Sequence, residues 1–417
     1  MLSILKNPTF LLFFLGNIIS LLGFGFNLIA VSWLVLEKTG SEIVLGKIIA
    51  AATIPGLLIA FFTGYIIDKT NRKWLMVVLD IFRIIVIGVF LINLEFYALE
   101  NEDQLEKINQ INLTHLFLVT FFMGIGNSLF WSTSQAFTQE IVSKKEYFDA
   151  NKLLSASFQI GSILGAGIGG VIVHLYDPFV ALWINIATYL VSGILISFAP
   201  YKYQRKERAS KNFFNSFFIG FTYLKDRKDI ATISMTTILS DVAIWGSLSV
   251  LTITISNEIF NKGAWGYGLL DGLYGIGALL SVITVGILSR YLNRKYILIY
   301  TYIIGFISLY LSSIMPNIYI ASIFFFILGI NINSSRIVTR TIIMENVENR
   351  IMGRVQTLLG IYTRIMVVLS SLVTGYLIED FTINAAVIFA CSHYFLAMLG
   401  VYFVSKAWKK SDKYLLN

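Results

Sequence analysis

Ionisable residues interrupt the long apolar runs of this chain: Asp80 with Arg83, Asp241, Asp271, Arg336 with Arg340, and Arg364. A charge held in hydrocarbon costs about 3 kcal/mol unless it is paired or faces a wet cavity, so such residues are functional by default. Asp80 and Arg83 stand three apart and share one helix face. Two readings of them are open: an ion pair that tethers helices, or a carboxylate whose proton is governed by the arginine. Asp241, four residues before Trp245, keeps its charge at that depth only with a partner. It suits a structural pair, a proton carrier or a site for a cationic ligand. Asp271 lies nearer one end of its run and reads as solvated, and Arg364 reads as structural.

Other chemistries lack their residues. Cys391 is the one cysteine, and His115, His174 and His393 lie far apart, so neither a disulfide framework nor a metal cluster is expected. No nucleophile with an adjacent base emerges, and the chain reads as a non-enzyme. No Gly-x-x-x-x-Gly-Lys-Ser/Thr run is present, which excludes a nucleotide-driven engine of that kind. No cofactor is expected. The energy source that remains is an ion gradient, of protons or sodium, with the proton favoured by the available carboxylates.

The elements that must position these groups are membrane spans. Of 417 residues, 56% are hydrophobic and 13% charged, and the mean hydropathy is +0.75, far too apolar for a soluble domain. Spans of helical length run over about 10–36, 44–67 (with Pro55 and Gly56 as an expected kink), 74–98, 113–133, 153–176 and 179–199. A second set covers about 230–256, 267–288, 296–315, 318–343, 355–378 and 383–404. The fold class is therefore all-α and polytopic, with about twelve transmembrane helices in two pseudo-symmetric six-helix halves. The expected halves are 1–200 and 230–417, joined by a basic linker, 201–229, with an amphipathic stretch near Phe213 to Leu224 that suits the membrane surface.

The net charge of +8 sits in alternate loops. That is the positive-inside pattern, not a nucleic-acid footprint, and it puts both termini in the cytoplasm. Residues 1–10 run straight into an apolar segment without a small-residue cleavage signal, and read as part of an uncleaved first helix. A multi-pass protein of a bacterial inner or plasma membrane is expected, with the bilayer and a small molecule as partners and a monomer as the working unit.

A charged hairpin recurs. Gly64-Tyr65-Ile66-Ile67-Asp68-Lys69-Thr70-Asn71-Arg72-Lys73 joins the second and third spans, and Gly286 to Lys295 repeats it after a shift of 222 residues, with Gly286, Arg294 and Lys295 on Gly64, Arg72 and Lys73. A shift of 205 puts Gly124, Glu140 and Gly170 onto Gly329, Glu345 and Gly375. Ordered matches at charged loops indicate a duplicated half.

The run Gly-x-x-x-Asp-Lys-x-x-Arg-Lys resembles the loop 2–3 motif of the major facilitator superfamily, and the likeness extends over nearly the whole chain, with a flavour of the macrolide-efflux-like and siderophore-exporter-like branch. The resemblance implies that Gly64 allows close helix approach and that Asp68 is a switchable partner for cations. It also implies that Lys69, Arg72 and Lys73 complete a network that locks an outward-open state until the carboxylate is protonated. Gly161-x-x-x-Gly165-Ala166-x-x-Gly169-Gly170 is similar to the family's antiporter motif, with Ala166 where the family has proline. Small residues at that spacing suit close packing, here expected against Gly272, Gly275 and Gly277. The family's arginine motif in the fourth span is absent, which leaves Arg83 as the nearest arginine in that half.

In this family the first, fourth, seventh and tenth helices line a central cavity. The resemblance thus implies cavity roles for Asn17, Phe26, Asn27, Asn127, Phe130, Trp131, Trp245, Asn331, Asn333 and Arg336. An aromatic and amide lining suits bulky, amphiphilic ligands. The expectation is proton-coupled efflux of a hydrophobic or amphiphilic small molecule, drug or metabolite, by alternating access, with Asp68, Asp80, Arg83 and Asp241 as coupling candidates. A solute importer or lipid flippase on the same fold, favoured by Arg336 and Arg340, is the alternative. A non-transporting receptor or assembly partner is a third.

Overall fold

A computed structural model describes residues 4–98, 112–143, 146–202, 213–347 and 349–407. Among the described residues, twelve helices are long and apolar enough to cross a membrane. They are α1 (Pro8–Thr39), α2 (Glu42–Lys69), α3 (Arg72–Ala98), α4 (Leu113–Ile141), α5 (Tyr147–Leu175) and α6 (Pro178–Phe198). The second set is α7 (Lys228–Ile259), α8 (Gly263–Tyr291), α9 (Arg294–Ile314), α10 (Ile318–Asn346), α11 (Asn349–Asp380) and α12 (Ile383–Ala407). No strand occurs among the described residues.

Short polar caps set the helix ends. The Asn7 side chain accepts from the Thr9 and Phe10 amides ahead of Pro8, and Gly40, at φ 58°, closes α1 in the left-handed region. Ser41 then caps α2 by accepting from the Val44 amide at 3.3 Å, so two residues turn the chain. Asp177 and Asn317 do the same for α6 and α10, accepting from Val180 and Ile320. Two helices run beyond the hydrophobic segments: α4 and α5 extend into the 134–152 region expected to be a loop. Pro55 lies inside α2 without ending it.

The seventh helix covers the expected span but changes its winding along the way. It winds as α-helix over Lys228–Val242, as π-helix over Ala243–Leu248, as α-helix over Ser249–Thr254 and as π-helix over Ile255–Ile259. The wider π turn frees carbonyls, and the Ser249 hydroxyl takes up two of them, donating to Gly246 at 2.6 Å and Trp245 at 3.1 Å. Gly246 is packed against Ser370 and the Val367 carbonyl, leaving no room for a Cβ.

The chain divides into two compact units, Met1–Ser210 with Gly263–Gly272, and Lys211–Lys262 with Leu273–Asn417. In the first, α1 lies between α5 and α6. Gly161, Gly165 and Gly169 face α1 at Leu21, Leu22 and Phe26. Gly167 and Gly170 face the start of α8 at Gly268 and Gly272. The small-residue motif thus serves two neighbours, whereas α8 alone was expected. Gly277 packs instead on α10, at Phe326. In the second unit the helix Phe213–Asp226 packs on α11, and its Tyr223 hydroxyl donates to the Asn346 carbonyl at 3.1 Å.

The duplication is visible as a repeated contact. Gly124 of α4 meets the main chain of α2 at Ala52, and Gly329 of α10 meets the main chain of α8 at Tyr274. Shifts of 205 and 222 carry the first pair onto the second. Gly286, the hairpin's repeated glycine, has open space where its Cβ would lie. Replacing Gly329 by Leu drives a side chain into backbone and is expected to cost about 3 kcal/mol. Gly286→Ala is expected to be neutral or to gain up to about 1 kcal/mol of helix propensity. Thermal unfolding in detergent reads both, and an unshifted midpoint for Gly329→Leu contradicts the contact.

Candidate functional site

Two ion pairs deep within the apolar helices, one in each unit, organise the polar groups around them. In the first unit Asp80 and Arg83 pair directly on α3, at 0% and 1% exposure. Every guanidinium nitrogen of Arg83 has an acceptor. Nε donates to the Leu79 carbonyl at 3.3 Å, Nη1 to Asn127 Oδ1 at 3.0 Å, and Nη2 to Ser20 Oγ at 3.0 Å and to Asp80. The ring faces of Phe130 and Tyr189 lie 4.3 and 4.1 Å from the guanidinium carbon. On the acid, Oδ2 accepts from Ser192 at 2.8 Å. Side chains from α1, α3, α4 and α6 thereby close around one pair.

In the second unit Arg336 Nε of α10 donates to Asp241 Oδ1 of α7 at 2.7 Å, with side-chain exposures of 10% and 24%. Arg336 Nη1 donates to Asn333 Oδ1 at 3.0 Å. Asn333 Nδ2 in turn donates to the Gly329 carbonyl at 3.0 Å and the Tyr274 hydroxyl at 3.3 Å. Arg336 Nη2 is enclosed and has no acceptor among the described residues. This pair spans two helices, leaves its acid partly reachable and leaves one edge of its cation unsatisfied. Arg340, one turn further along α10, is exposed.

Below the first π turn of α7, the Ser247 and Ser370 hydroxyls meet at 2.8 Å and Thr374 donates to Ser247 at 2.9 Å. His393 Nε2 lies 3.3 Å from Ser370. This network joins α7, α11 and α12 within the second unit. His393 was set aside on the distance between histidines in sequence, and a hydroxyl partner from another helix leaves no such signal.

The hairpin cations turn inward. Arg72 Nη1 donates to the Ala136 carbonyl at 2.7 Å and lies 3.3 Å from Glu140 of α4. Lys73 Nζ donates to the Ala199 carbonyl at 2.8 Å, at the C-terminal end of α6 where a cation is favoured. An acidic side chain thus holds Arg72, and Lys73 holds a helix end. Lys69 is exposed. Gly64 and Asp68 lie in the last turns of α2, and their side chains are outside the described residues.

The remaining expected cavity residues divide by surroundings. Asn17 is fully enclosed and donates to Ser157 at 2.7 Å, tying α1 to α5. Phe26 and Asn27 are 6% and 8% exposed, and Trp131 lies on Phe158 with ring centres 4.8 Å apart. Asn331 is turned back to the Ile327 carbonyl of its own helix at 2.8 Å. Trp245 stands half-buried within the π turn. Asp271, expected to be solvated, is partly exposed, and no hydrogen bond or ion pair joins it to another described residue. Ser20, Ser192 and Tyr189, which complete the first cage, were missed: single hydroxyls in apolar runs are too common to stand out.

Known proteins resemble the chain in both sequence and fold. BacE of Bacillus amyloliquefaciens, a protein assigned as a bacilysin exporter, is 24% identical over 310 residues, covering 74% of this chain and 73% of its own. The multidrug efflux pump Tap of Mycolicibacterium fortuitum is 22% identical over 177 residues, 42% of this chain and 41% of Tap. Among solved structures, the nucleoside transporter NupG superposes with a TM-score of 0.73 at 12% identity, over 95% of this chain and 99% of NupG. A bacterial homologue of the iron transporter ferroportin, in its inward-facing state, gives 0.72 at 15% identity, over 96% and 99%. At those identities the structures speak for the fold alone. The family model of the Major Facilitator Superfamily matches residues 13–371. Twelve spanning helices and a match over most of the length agree: the chain belongs to the Major Facilitator Superfamily.

Proposed function

We propose that this transporter is an exporter that carries a hydrophobic or amphiphilic small molecule out of a bacterial cell in exchange for protons, by alternating access. The observation that carries the reading is the Asp241–Arg336 pair. Its acid is 24% exposed and its cation stands on another helix, so protonating the acid removes an interhelical bond. A proton taken up there biases the two states by the free energy of that bond, which is what coupling requires. The Asp80–Arg83 cage is closed on every side and serves as a tether. The direction of transport rests on the exporter names of the sequence relatives, since a nucleoside transporter shares the fold. Asp68 acts as the switch between halves, and both termini lie in the cytoplasm.

The test is uptake of a fluorescent amphiphilic dye into inverted vesicles, with and without an imposed pH gradient. Accumulation is expected only with the gradient, and Asp241→Asn should lower it roughly tenfold, the loss of a coupling free energy of about 1–3 kcal/mol. Gradient-independent accumulation, or full activity in Asp241→Asn, contradicts proton coupling at this pair. Asp68→Asn is expected to abolish accumulation at normal levels of folded protein, and retained transport removes the switch. Asp80→Asn strands an enclosed guanidinium and is expected to cost about 3–5 kcal/mol. Its effect should appear as a lowered melting temperature and lost folded protein, with the gradient dependence of the surviving fraction unchanged.

A further inference from the structure

A guanidinium offers five N–H donors. For Arg336 they are only partly used: Nε serves Asp241 and Nη1 serves Asn333, while Nη2, with two N–H groups, is buried and has no acceptor among the described residues. Arg83 is the internal comparison, since it is more deeply enclosed and yet each of its nitrogens is satisfied. The open edge is therefore a property of this site and not of buried arginine in this fold. A second unmatched group stands close by. The Tyr394 hydroxyl of α12 is enclosed without a partner among the described residues, and it lies within electrostatic reach of Arg336. Leaving such groups unmatched in a membrane span is costly. An acceptor would satisfy the guanidinium edge, and the phenol O–H could donate to the same group.

The charge balance indicates the acceptor's sign. Asp241 neutralises Arg336, and Arg340 adds a positive charge one turn along α10 with its side chain exposed. One positive charge is left over. Two unmatched N–H groups on one nitrogen, a phenol and an excess positive charge fit a group whose oxygens carry a negative charge. Asp241 already holds the Nε edge, so the incoming group does not have to displace it.

We propose that the Nη2 edge of Arg336 is the docking point for a carboxylate of the transported molecule, so that the cargo is an amphiphilic acid or zwitterion. This rests on the transport reading above and narrows it. Opening of the site during the transport cycle gives the carboxylate access to an edge that is enclosed in the present conformation.

The test uses full-length protein in phosphatidylcholine nanodiscs and two probes with the same apolar body, dansyl-phenylalanine and its methyl ester. The acid is expected to bind about tenfold more tightly than the ester, the worth of a charge-assisted hydrogen bond. That preference should fall to about twofold or less in R336Q. Because R336Q leaves Asp241 without its cation, the double variant D241N/R336Q, which removes both charges, is measured beside it, and the same loss of preference is expected. Equal binding of the two probes by the wild type, no binding of the acid, or a preference that survives in D241N/R336Q overturns the proposal. Adding phosphatidylglycerol to the discs should leave acid binding intact. If the lipid abolishes it, the edge belongs to a lipid phosphate and the cargo assignment falls. Gradient-driven accumulation of the ester without preference for the acid would leave the export reading standing and remove this one alone.

Discussion

An ion buried within a bilayer must bring its counter-ion with it, and the interior of this protein is arranged around that requirement. Asp80 is neutralised from its own helix, and the resulting pair is then wrapped by hydroxyl, amide and aromatic groups from three others. Asp241 is neutralised from another helix, so its pair persists only while α7 and α10 keep their spacing. The first solution fixes helices together. The second makes the spacing of α7 and α10 sensitive to the charge on one carboxylate.

The second requirement is close approach of backbones, because lipid supplies no hydrophobic drive for helices to associate. Gly124 on Ala52 and Gly329 on Tyr274 meet it with the same geometry in each unit. The glycines of α5 meet it on two sides, towards α1 and towards the first turns of α8. These contacts hold the helices at the separations over which the buried pairs form.

The span count, the duplication and the family were legible in the sequence because they rest on long-range averages: hydropathy over twenty residues, alternating loop charge and ordered repeats of glycine and arginine. The pairing of Asp80 with Arg83 was legible because three residues place them on one helix face. The pairing of Asp241 with Arg336 was not, since helix rotation decides it and one sequence does not reveal rotation. The π turns of α7 were also illegible. Ala243 to Leu248 reads like any apolar stretch, and the departure arises where Gly246 meets Ser370 on α11 and Ser249 takes up the displaced carbonyls. The antiporter-like motif was recognised, but its division between two neighbours depends on which glycines face which helix.

Arg72 and Lys73 are counted in any tally of basic loops, yet in the folded chain they are only 9% and 8% exposed and bonded to carbonyls of α4 and α6. Charge that the sequence places in a loop is thus withdrawn from solvent by the fold and stitches helix ends together. A map of the finished protein's surface potential would undercount the cations that the sequence assigns to its loops.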